Sequence, residues 1–141
     1  MTGLWVLVAT LVAALAVGVL LKARNGRVRD AKPVRELPAP VTAALDPASA
    51  VTLVQISTTF CAPCRHAKAV LAPLAEQTVG LHHVELDVTE QPEVAQSLSV
   101  LRTPTTIALT PDGRELLRVG GVPKGPELLA ALRPHLTSRT P

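Results

Sequence analysis

The hydrophobic positions along the chain follow three different patterns. Residues 4–21 are an unbroken run of uncharged and almost entirely apolar side chains. Residues 51–56 are mostly β-branched or apolar, which predicts a short buried strand. The apolar residues that come next recur three and four positions apart, on one face of a helix: Ala67, Val70, Leu71 and Leu74. A long apolar segment therefore precedes a region in which strand and helix alternate.

Strand and helix patterns continue to alternate over the rest of the chain. After the strand at 51–56, the predicted strands are residues 81–88, 105–109 and 115–119. Pro92 begins a short helix between the first two of these, and Gly125-Pro126 begins a last helix. Pro111-Asp112-Gly113 predicts a tight turn that joins the last two strands as a hairpin. A βαβ unit followed by a hairpin and a helix predicts an α/β fold with one sheet.

The apolar segment at the N-terminus is long enough to cross a bilayer. With Thr2 and Gly3 included, it reaches the roughly 20 residues that a transmembrane helix needs. A secretory signal would show a charged start, a shorter apolar core and a small-residue cleavage site, and none of these is clear here. We therefore predict a retained single-pass anchor in residues 1–23, with a cleaved signal as the alternative.

The charges after this segment predict its orientation. Six basic residues follow it within a short distance, namely Lys22, Arg24, Arg27, Arg29, Lys32 and Arg35. The positive-inside rule then predicts that the C-terminal domain lies in the cytoplasm, and the extracytoplasmic side is the alternative. Basic side chains at this place are expected to contact anionic lipid head groups. Nucleic acid is not an expected partner, because Trp5 and Phe60 are the only aromatic residues available for base stacking.

A polar and proline-rich stretch separates the anchor from the folded region. Residues 24–47 contain Pro33, Pro38, Pro40 and Pro47, which predicts a semi-extended spacer that holds the domain away from the bilayer. Within it, residues 41–45 are compatible with a helical turn or with a short first strand. Residues 48–141 form the predicted domain, since a chain of 141 residues allows one domain plus an appendage.

Two cysteines carry the candidate chemistry. Cys61 and Cys64 are the only cysteines and lie between the predicted strand and helix in a C-x-x-C arrangement. The unpaired N–H groups at a helix start favour an anion, so we expect a lowered pKa for the Cys61 thiol. Pro63 is tolerated in the first helical turn, where its missing N–H has no partner. Three residues along a helix return to the same face, so the two sulfurs can close a short disulfide.

These features favour thiol–disulfide exchange over the other uses of a cysteine pair. We expect Cys61 to attack a substrate disulfide and Cys64 to resolve the mixed disulfide, with the Arg65 charge favouring the Cys61 thiolate. A purely structural disulfide is disfavoured, because so short a loop removes little entropy from the unfolded chain. A metal site would need two further ligands, and the C-x-x-C-H pattern of haem attachment is missed because His66 follows Arg65.

A second motif extends the pattern beyond the cysteines. Thr103-Pro104 lies just ahead of an apolar strand, and Gly120 precedes the last helix. With the C-x-x-C motif in this order, residues 51–136 resemble the thioredoxin family, and the N-terminus makes the chain similar to its membrane-tethered bacterial members. The resemblance implies a thioredoxin-like fold, a central mixed β-sheet flanked by helices, here preceded by one transmembrane helix.

The same resemblance implies roles for the Thr103-Pro104 segment. In the family this segment lies opposite the cysteines, contains a cis peptide bond and pairs with the substrate backbone. A cis bond before proline costs little, and it leaves neighbouring backbone groups free for an incoming peptide. The alternative is a trans proline that begins an edge strand.

The chain also departs from the family at several supporting positions. Phe60 replaces the usual tryptophan before the first cysteine, and Ala62 replaces a glycine. Gln55 stands where thioredoxins bury an aspartate, and His83 stands where they have its lysine partner. An amide cannot accept the proton of the resolving thiol as a carboxylate can. We therefore expect Cys64 to be activated by water or by His83, unless His83 is an ordinary half-exposed strand residue.

Together these observations predict a membrane-tethered thiol:disulfide oxidoreductase that reduces protein disulfides. Its expected partners are protein or peptide disulfides, an electron-donor reductase or membrane thiol carrier, and the lipid bilayer. No cofactor is expected besides the Cys61–Cys64 redox pair, and no metal. The alternative is a redox-sensing or partner-binding module of the same fold that does not turn over.

Overall fold

The computed structural model describes residues 1–31 and 36–137, which contain five helices and a five-stranded sheet. The helices are α1 (Thr2–Arg24), α2 (Ala39–Ala43), α3 (Ala62–Glu76), α4 (Pro92–Ser97) and α5 (Gly125–Thr137). The strands are β1 (Val28–Asp30), β2 (Val51–Ser57), β3 (Leu81–Asp87), β4 (Thr105–Leu109) and β5 (Glu115–Gly120). The predicted mixed sheet flanked by helices is confirmed, and an apolar helix precedes it.

The strand order in the sheet is β1-β5-β4-β2-β3. Strands β2 and β3 are parallel because α3 connects them as a crossover, whereas every other neighbouring pair is antiparallel. Strand β2 is buried at all seven positions, as expected for a central strand covered on both faces. Its carboxyl end leads directly to the two cysteines.

Alternation along β2 divides the core into two layers. Leu53 faces helices α3 and α5 and packs with Leu71 and Leu132. Val54 faces the opposite side, where Val41 of α2 and the α4 region complete the second cluster. Because successive strand residues point to opposite faces, one strand supplies both layers and holds α3 in place.

The predicted spacer differs from the structure within residues 24–47. Val28 pairs with Val119, so β1 is the edge strand of the sheet beside β5 rather than part of an extended linker. Strand β1 has only three residues and no alternation of apolar side chains, so the sequence gives no signal for it. Its pairing depends on backbone groups of β5, which lies far along the chain. Residues 39–43 are helical, which decides the question left open for this segment. Lys32, Pro33 and Arg35 lie outside the described residues, and the three-segment division remains a prediction.

The apolar helix joins the sheet through a very short connection. Only Asn25, Gly26 and Arg27 separate α1 from β1. The Gly26 N–H donates to the Gly120 carbonyl at 2.9 Å, and the Gly26 φ of +74° favours glycine. The side chain of Asn25 lies so close to Gly121 that a Cβ on Gly121 would overlap it. The end of α1 is therefore held directly against the end of β5.

Candidate active site at the start of helix α3

The two cysteines form a disulfide across the first turn of α3. Cys61 is the N-cap residue with an extended backbone, and its Cα lies 5.3 Å from that of Cys64. The Cys64 N–H donates to the Cys61 sulfur at 3.2 Å. Cys64 is 2% exposed, whereas Cys61 is partly exposed. Cys61 is therefore the sulfur that a substrate can reach, and it lies where backbone N–H groups stabilise an anion.

Threonine side chains hold the loop that precedes Cys61. The Thr59 N–H donates to the Thr89 hydroxyl at 2.9 Å, and the Thr59 hydroxyl donates to Asp87 at 3.1 Å. Hydrogen bonds from the Thr89 hydroxyl and backbone N–H lower the pKa of Asp87 below its usual value. The carboxylate at the end of β3 thus fixes the loop that places Cys61 at the helix start.

The segment predicted to contact substrate lies beside this loop. The Thr103–Pro104 peptide bond is cis, as expected from the resemblance. The hydroxyls of Thr58 and Thr103 are 3.5 Å apart, so the two loops are adjacent. On the other side, the Gly121 N–H donates to the Pro104 carbonyl at 2.7 Å. The structure thus brings Thr103 and Pro104 together with the cysteine loop; their contact with substrate stays a prediction.

Gln55 and His83 lie behind the disulfide and are hydrogen-bonded to each other. The Gln55 Nε2 donates to the Cys64 carbonyl at 2.8 Å, and Gln55 is fully buried. Because that carbonyl can only accept, the Gln55 Oε1 faces His83 Nε2, 3.0 Å away. The His83 Nε2 must then carry a hydrogen, which leaves Nδ1 as the one ring nitrogen able to accept a proton. Burial lowers the pKa of His83 below its usual value, so the neutral ring is favoured.

A second polar cluster on β3 was missed by the sequence analysis. The Glu85 carboxylate pairs with Lys68 of α3 at 2.9 Å and accepts from the Ser57 hydroxyl at 3.0 Å. The hydrogen bond from Lys68 lowers the pKa of Glu85, and the Ser57 bond adds to this effect. His83, Glu85 and Asp87 alternate along β3, so their period of two was the signal available in the sequence. Glu85 supports helix α3 through Lys68, and Asp87 supports the loop before that helix through Thr59.

The remaining candidate residues are exposed around Cys61. Phe60 is 98% exposed, which places an aromatic ring in solvent next to the reactive sulfur. Pro63 lies in the first turn of α3, as predicted, and is exposed. Arg65 is exposed one turn from Cys61, and no residue of the described part of the chain holds its guanidinium. These side chains form a surface that an incoming peptide can contact.

Comparisons with known proteins match the folded region. The family described as Thioredoxin matches residues 41–133. A thioredoxin of Staphylococcus aureus is 35% identical over 89 residues, which cover 62% of this chain and 85% of that protein. Thioredoxin-2 of Pyricularia oryzae is 36% identical over 84 residues, 58% of this chain and 48% of its own length. Thioredoxin H2 of Arabidopsis thaliana is 33% identical over 72 residues, 51% of this chain and 53% of its own. The chain spans about half the length of these last two relatives.

Solved structures give the same result. A mutant thioredoxin from Halobacterium salinarum superposes with a TM-score of 0.56 at 25% identity, covering 62% of this chain and 76% of that one. Thioredoxin NaTrxh from Nicotiana alata superposes with a TM-score of 0.54 at 30% identity, over 61% of this chain and 73% of that one. Helix α1 and strand β1 lie outside the residues that the family match covers.

Proposed function

We propose that this chain, which belongs to the thioredoxin family, is a thiol:disulfide oxidoreductase that acts through Cys61 and Cys64. The observation that carries the proposal is the position of the disulfide. Its accessible sulfur is the N-cap of α3 and accepts a backbone N–H, while its second sulfur is buried. Such a site stabilises the thiolate of Cys61 and keeps Cys64 close enough to complete the exchange.

The proposed reaction is the reduction of a protein or peptide disulfide. The Cys61 thiolate attacks one substrate sulfur, forms a mixed disulfide, and releases the other substrate sulfur as a thiolate that takes up a proton. The Cys64 thiolate then attacks the Cys61 sulfur and releases the second substrate thiol. Two electrons pass to the substrate, and the chain is left with the Cys61–Cys64 disulfide. An external dithiol returns the pair to its reduced form, supplied by a reductase or by a membrane thiol carrier.

The buried side of the site gives this chain its own proton chemistry. Deprotonation of Cys64 needs an acceptor, and the neighbouring Gln55 amide cannot serve as one. We assign Gln55 to hold the Cys64 backbone and His83 to hold Gln55, with water or the His83 Nδ1 taking the proton. No cofactor besides the redox pair enters the proposed reaction.

We further propose that α1 anchors the domain in a membrane, as in membrane-tethered bacterial thioredoxin-like proteins. The helix is 23 residues long and apolar, and none of its side chains is buried in the structure. A signal sequence near an N-terminus has the same features and is the alternative. The basic residues after α1 favour a cytoplasmic domain. Labelling of intact cells with a membrane-impermeant thiol reagent after reduction tests the side: protection of the cysteines supports the cytoplasm, and labelling contradicts it.

Insulin reduction by the full chain in lipid nanodiscs tests the oxidoreductase proposal. With a dithiol present, we expect the chain to accelerate the precipitation of reduced insulin and the Cys61→Ser/Cys64→Ser variant to leave only the background rate. A folded sample that does not exceed this background contradicts the proposal.

A partner-binding module without turnover is the second candidate. The neutral Gln55 favours a binding module, because a carboxylate at that position would speed resolution of the mixed disulfide and an amide does not. A binding module would retain its partner in the double serine variant, whereas an oxidoreductase would lose its activity.

A further inference from the structure

A cleft of about 540 Å³ lies between the end of α1 and the sheet. Its basic walls come from three parts of the chain: Arg24 of α1, Arg29 of β1, and Arg102 in the loop before β4. A fourth arginine, Arg118, also lines the cleft, but its charge is paired with Glu115. Asp30 is the one acidic residue among the lining residues. Three arginines and one aspartate leave the cleft with an excess of positive charge, which favours an anion.

The walls of the cleft are held in place by a buried ion pair. Arg118 is 5% exposed, and its guanidinium contacts the Glu115 carboxylate through two atoms at 2.6 and 2.7 Å. Its remaining nitrogen donates to the Leu98 carbonyl at 3.0 Å, which fixes the loop that carries Leu101 and Arg102. The charge of Arg118 is therefore used within the protein. Arg24 and Arg29 line the cleft and are exposed, so a ligand can reach their guanidinium groups.

Apolar side chains line the same cleft. Leu21 belongs to the last turn of the apolar part of α1, and Leu101 is 94% exposed. An inorganic anion would gain nothing from these two side chains, whereas a phospholipid presents a phosphate next to an acyl region. The cleft also lies at the end of a helix about 34 Å long, where the phosphates of a bilayer would lie if that helix spans it.

We propose that this cleft binds the phosphate of an anionic phospholipid and thereby holds the substrate-binding face of the domain against the membrane. The connection to the active site is direct. Gly120 accepts hydrogen bonds from Gly26 after α1 and from the Arg102 side chain, and the next residue, Gly121, donates to Pro104. The end of α1 and the Thr103–Pro104 loop thus bind the same two-residue segment.

The inference rests on the proposed function and names its substrate class. A domain held in this way reaches disulfides that are presented at the membrane surface, on proteins embedded in or bound to the bilayer. A flexible spacer would instead let the domain sample soluble substrates away from the membrane.

The test measures how close Cys61 lies to the lipid head groups. The full chain carrying Cys64→Ser is labelled at Cys61 with a fluorophore and reconstituted in nanodiscs that contain a head-group quencher. One set of discs contains phosphatidylcholine alone, and the other also contains phosphatidylglycerol. We expect the ratio of docked to undocked domain to be greater in the anionic discs, by a factor of roughly 5 for each basic residue at the surface.

A matched pair of charge variants locates the effect. Arg24→Gln/Arg29→Gln changes two exposed side chains of the cleft and should reduce quenching to its value in neutral discs. Arg114→Gln/Arg133→Gln removes the same charge at exposed positions outside the cleft and should keep the anionic value. Equal quenching in the two lipids, or equal losses in the two variants, would overturn the proposal.

Two further measurements distinguish a lipid phosphate from free phosphate, and this inference from the oxidoreductase proposal. Inorganic phosphate at millimolar concentration should leave the quenching in anionic discs unchanged; loss of quenching would assign the cleft to free phosphate and contradict the lipid. Insulin reduction by the unlabelled chain is measured in the same discs. A chain that reduces insulin without lipid-dependent quenching loses this inference alone, whereas a docked chain that does not reduce insulin loses the oxidoreductase proposal.

Discussion

The two sulfurs of the disulfide lie in contrasting surroundings. Around Cys61 the contacts come from the backbone and from threonine hydroxyl groups of the preceding loop, with the exposed Phe60 next to it. Around Cys64 the contacts consist of a buried neutral amide, Gln55, and the imidazole that it binds, His83. The accessible side therefore provides backbone N–H groups that stabilise a thiolate. The buried side provides Gln55 and His83, which hold Cys64 in place, and the His83 Nδ1 is its one weak proton acceptor. Attack on a substrate and resolution of the mixed disulfide should respond differently to mutation.

The largest expected effect separates the two cysteines. Cys61→Ser should lower insulin reduction by a factor on the order of 10³ or more, because the attacking group is lost. Cys64→Ser should instead accumulate a mixed disulfide at Cys61, because the first step remains and the resolving thiol is absent. Gel electrophoresis without reductant, followed by mass spectrometry, detects the adduct. Accumulation on Cys64 in the Cys61→Ser variant would reverse the assignment of the two roles.

Removal of Gln55 tests the buried side alone. Gln55→Leu leaves the Cys64 carbonyl and the His83 N–H without their partner, which should lower the free energy of unfolding by about 1–3 kcal/mol. Urea denaturation of the reduced and oxidised chain measures this loss. The rate of mixed-disulfide resolution should fall as well, since the carbonyl holds Cys64 in place. A variant as stable as the parent, with unchanged resolution, would show that the hydrogen bonds do not position Cys64.

The lowered pKa of His83 predicts a dependence of stability on pH. Its folded pKa lies below the ordinary value of 6.5, so the unfolded chain takes up the proton first as the pH falls. The stabilisation is present above pH 6.5 and is lost towards lower pH, with a slope of at most about 1.4 kcal/mol per pH unit. His83→Gln keeps a donor for Gln55 without titrating and should flatten the urea-derived free energy between pH 6.5 and 5.

The carboxylates of Glu85 and Asp87 add little to this slope. The pKa values of Glu85 and Asp87 lie below ordinary values of 4.5 and 3.8, so their stabilisation is lost at lower pH than that of His83. An unchanged slope above pH 5 in His83→Gln would show that another group causes the dependence.

The smallest expected effect concerns the Lys68–Glu85 ion pair. Lys68 is 57% exposed and Glu85 is 29% exposed, so solvent screens their attraction. Lys68→Met should lower the free energy of unfolding by less than about 1 kcal/mol and leave insulin reduction nearly unchanged. Addition of 1 M salt to the parent should reproduce most of this loss. A large loss of activity would mean that the pair acts on the cysteines and is more than a support for α3.

Much of the site was predictable because its signals are local. The spacing of Cys61 and Cys64 around a strand-to-helix junction predicted an N-cap sulfur and a disulfide across one turn. The resemblance to the thioredoxin family implied a cis bond at Thr103-Pro104 beside the cysteine loop, and that bond is cis. Gln55 and His83 were identified as a pair by resemblance, and the structure places them 3.0 Å apart. The amide orientation and the protonated ring nitrogen followed only from the observed hydrogen bonds.

Other features gave no usable pattern. Glu85 has an ordinary place in an alternating strand, and its partners Lys68 and Ser57 come from two other elements. The basic residues at the end of α1 and after it indicated a membrane flank, but nothing in their spacing placed Arg24 and Arg29 beside Arg102. The side of the membrane and the substrate-contact roles remain predictions.

The sequence by itself determined the apolar helix, the alternation of strand and helix, and the redox pair, because these depend on hydrophobic period and on contacts within one helical turn. Only the tertiary structure decided that β1 pairs with β5 at the sheet edge, and that the end of α1 and the Thr103–Pro104 loop bind the same two-residue segment. It also decided that a basic cleft lies between the end of α1 and the sheet. These arrangements depend on hydrogen bonds between residues as far apart in sequence as Gly26 and Gly120, which no local pattern encodes.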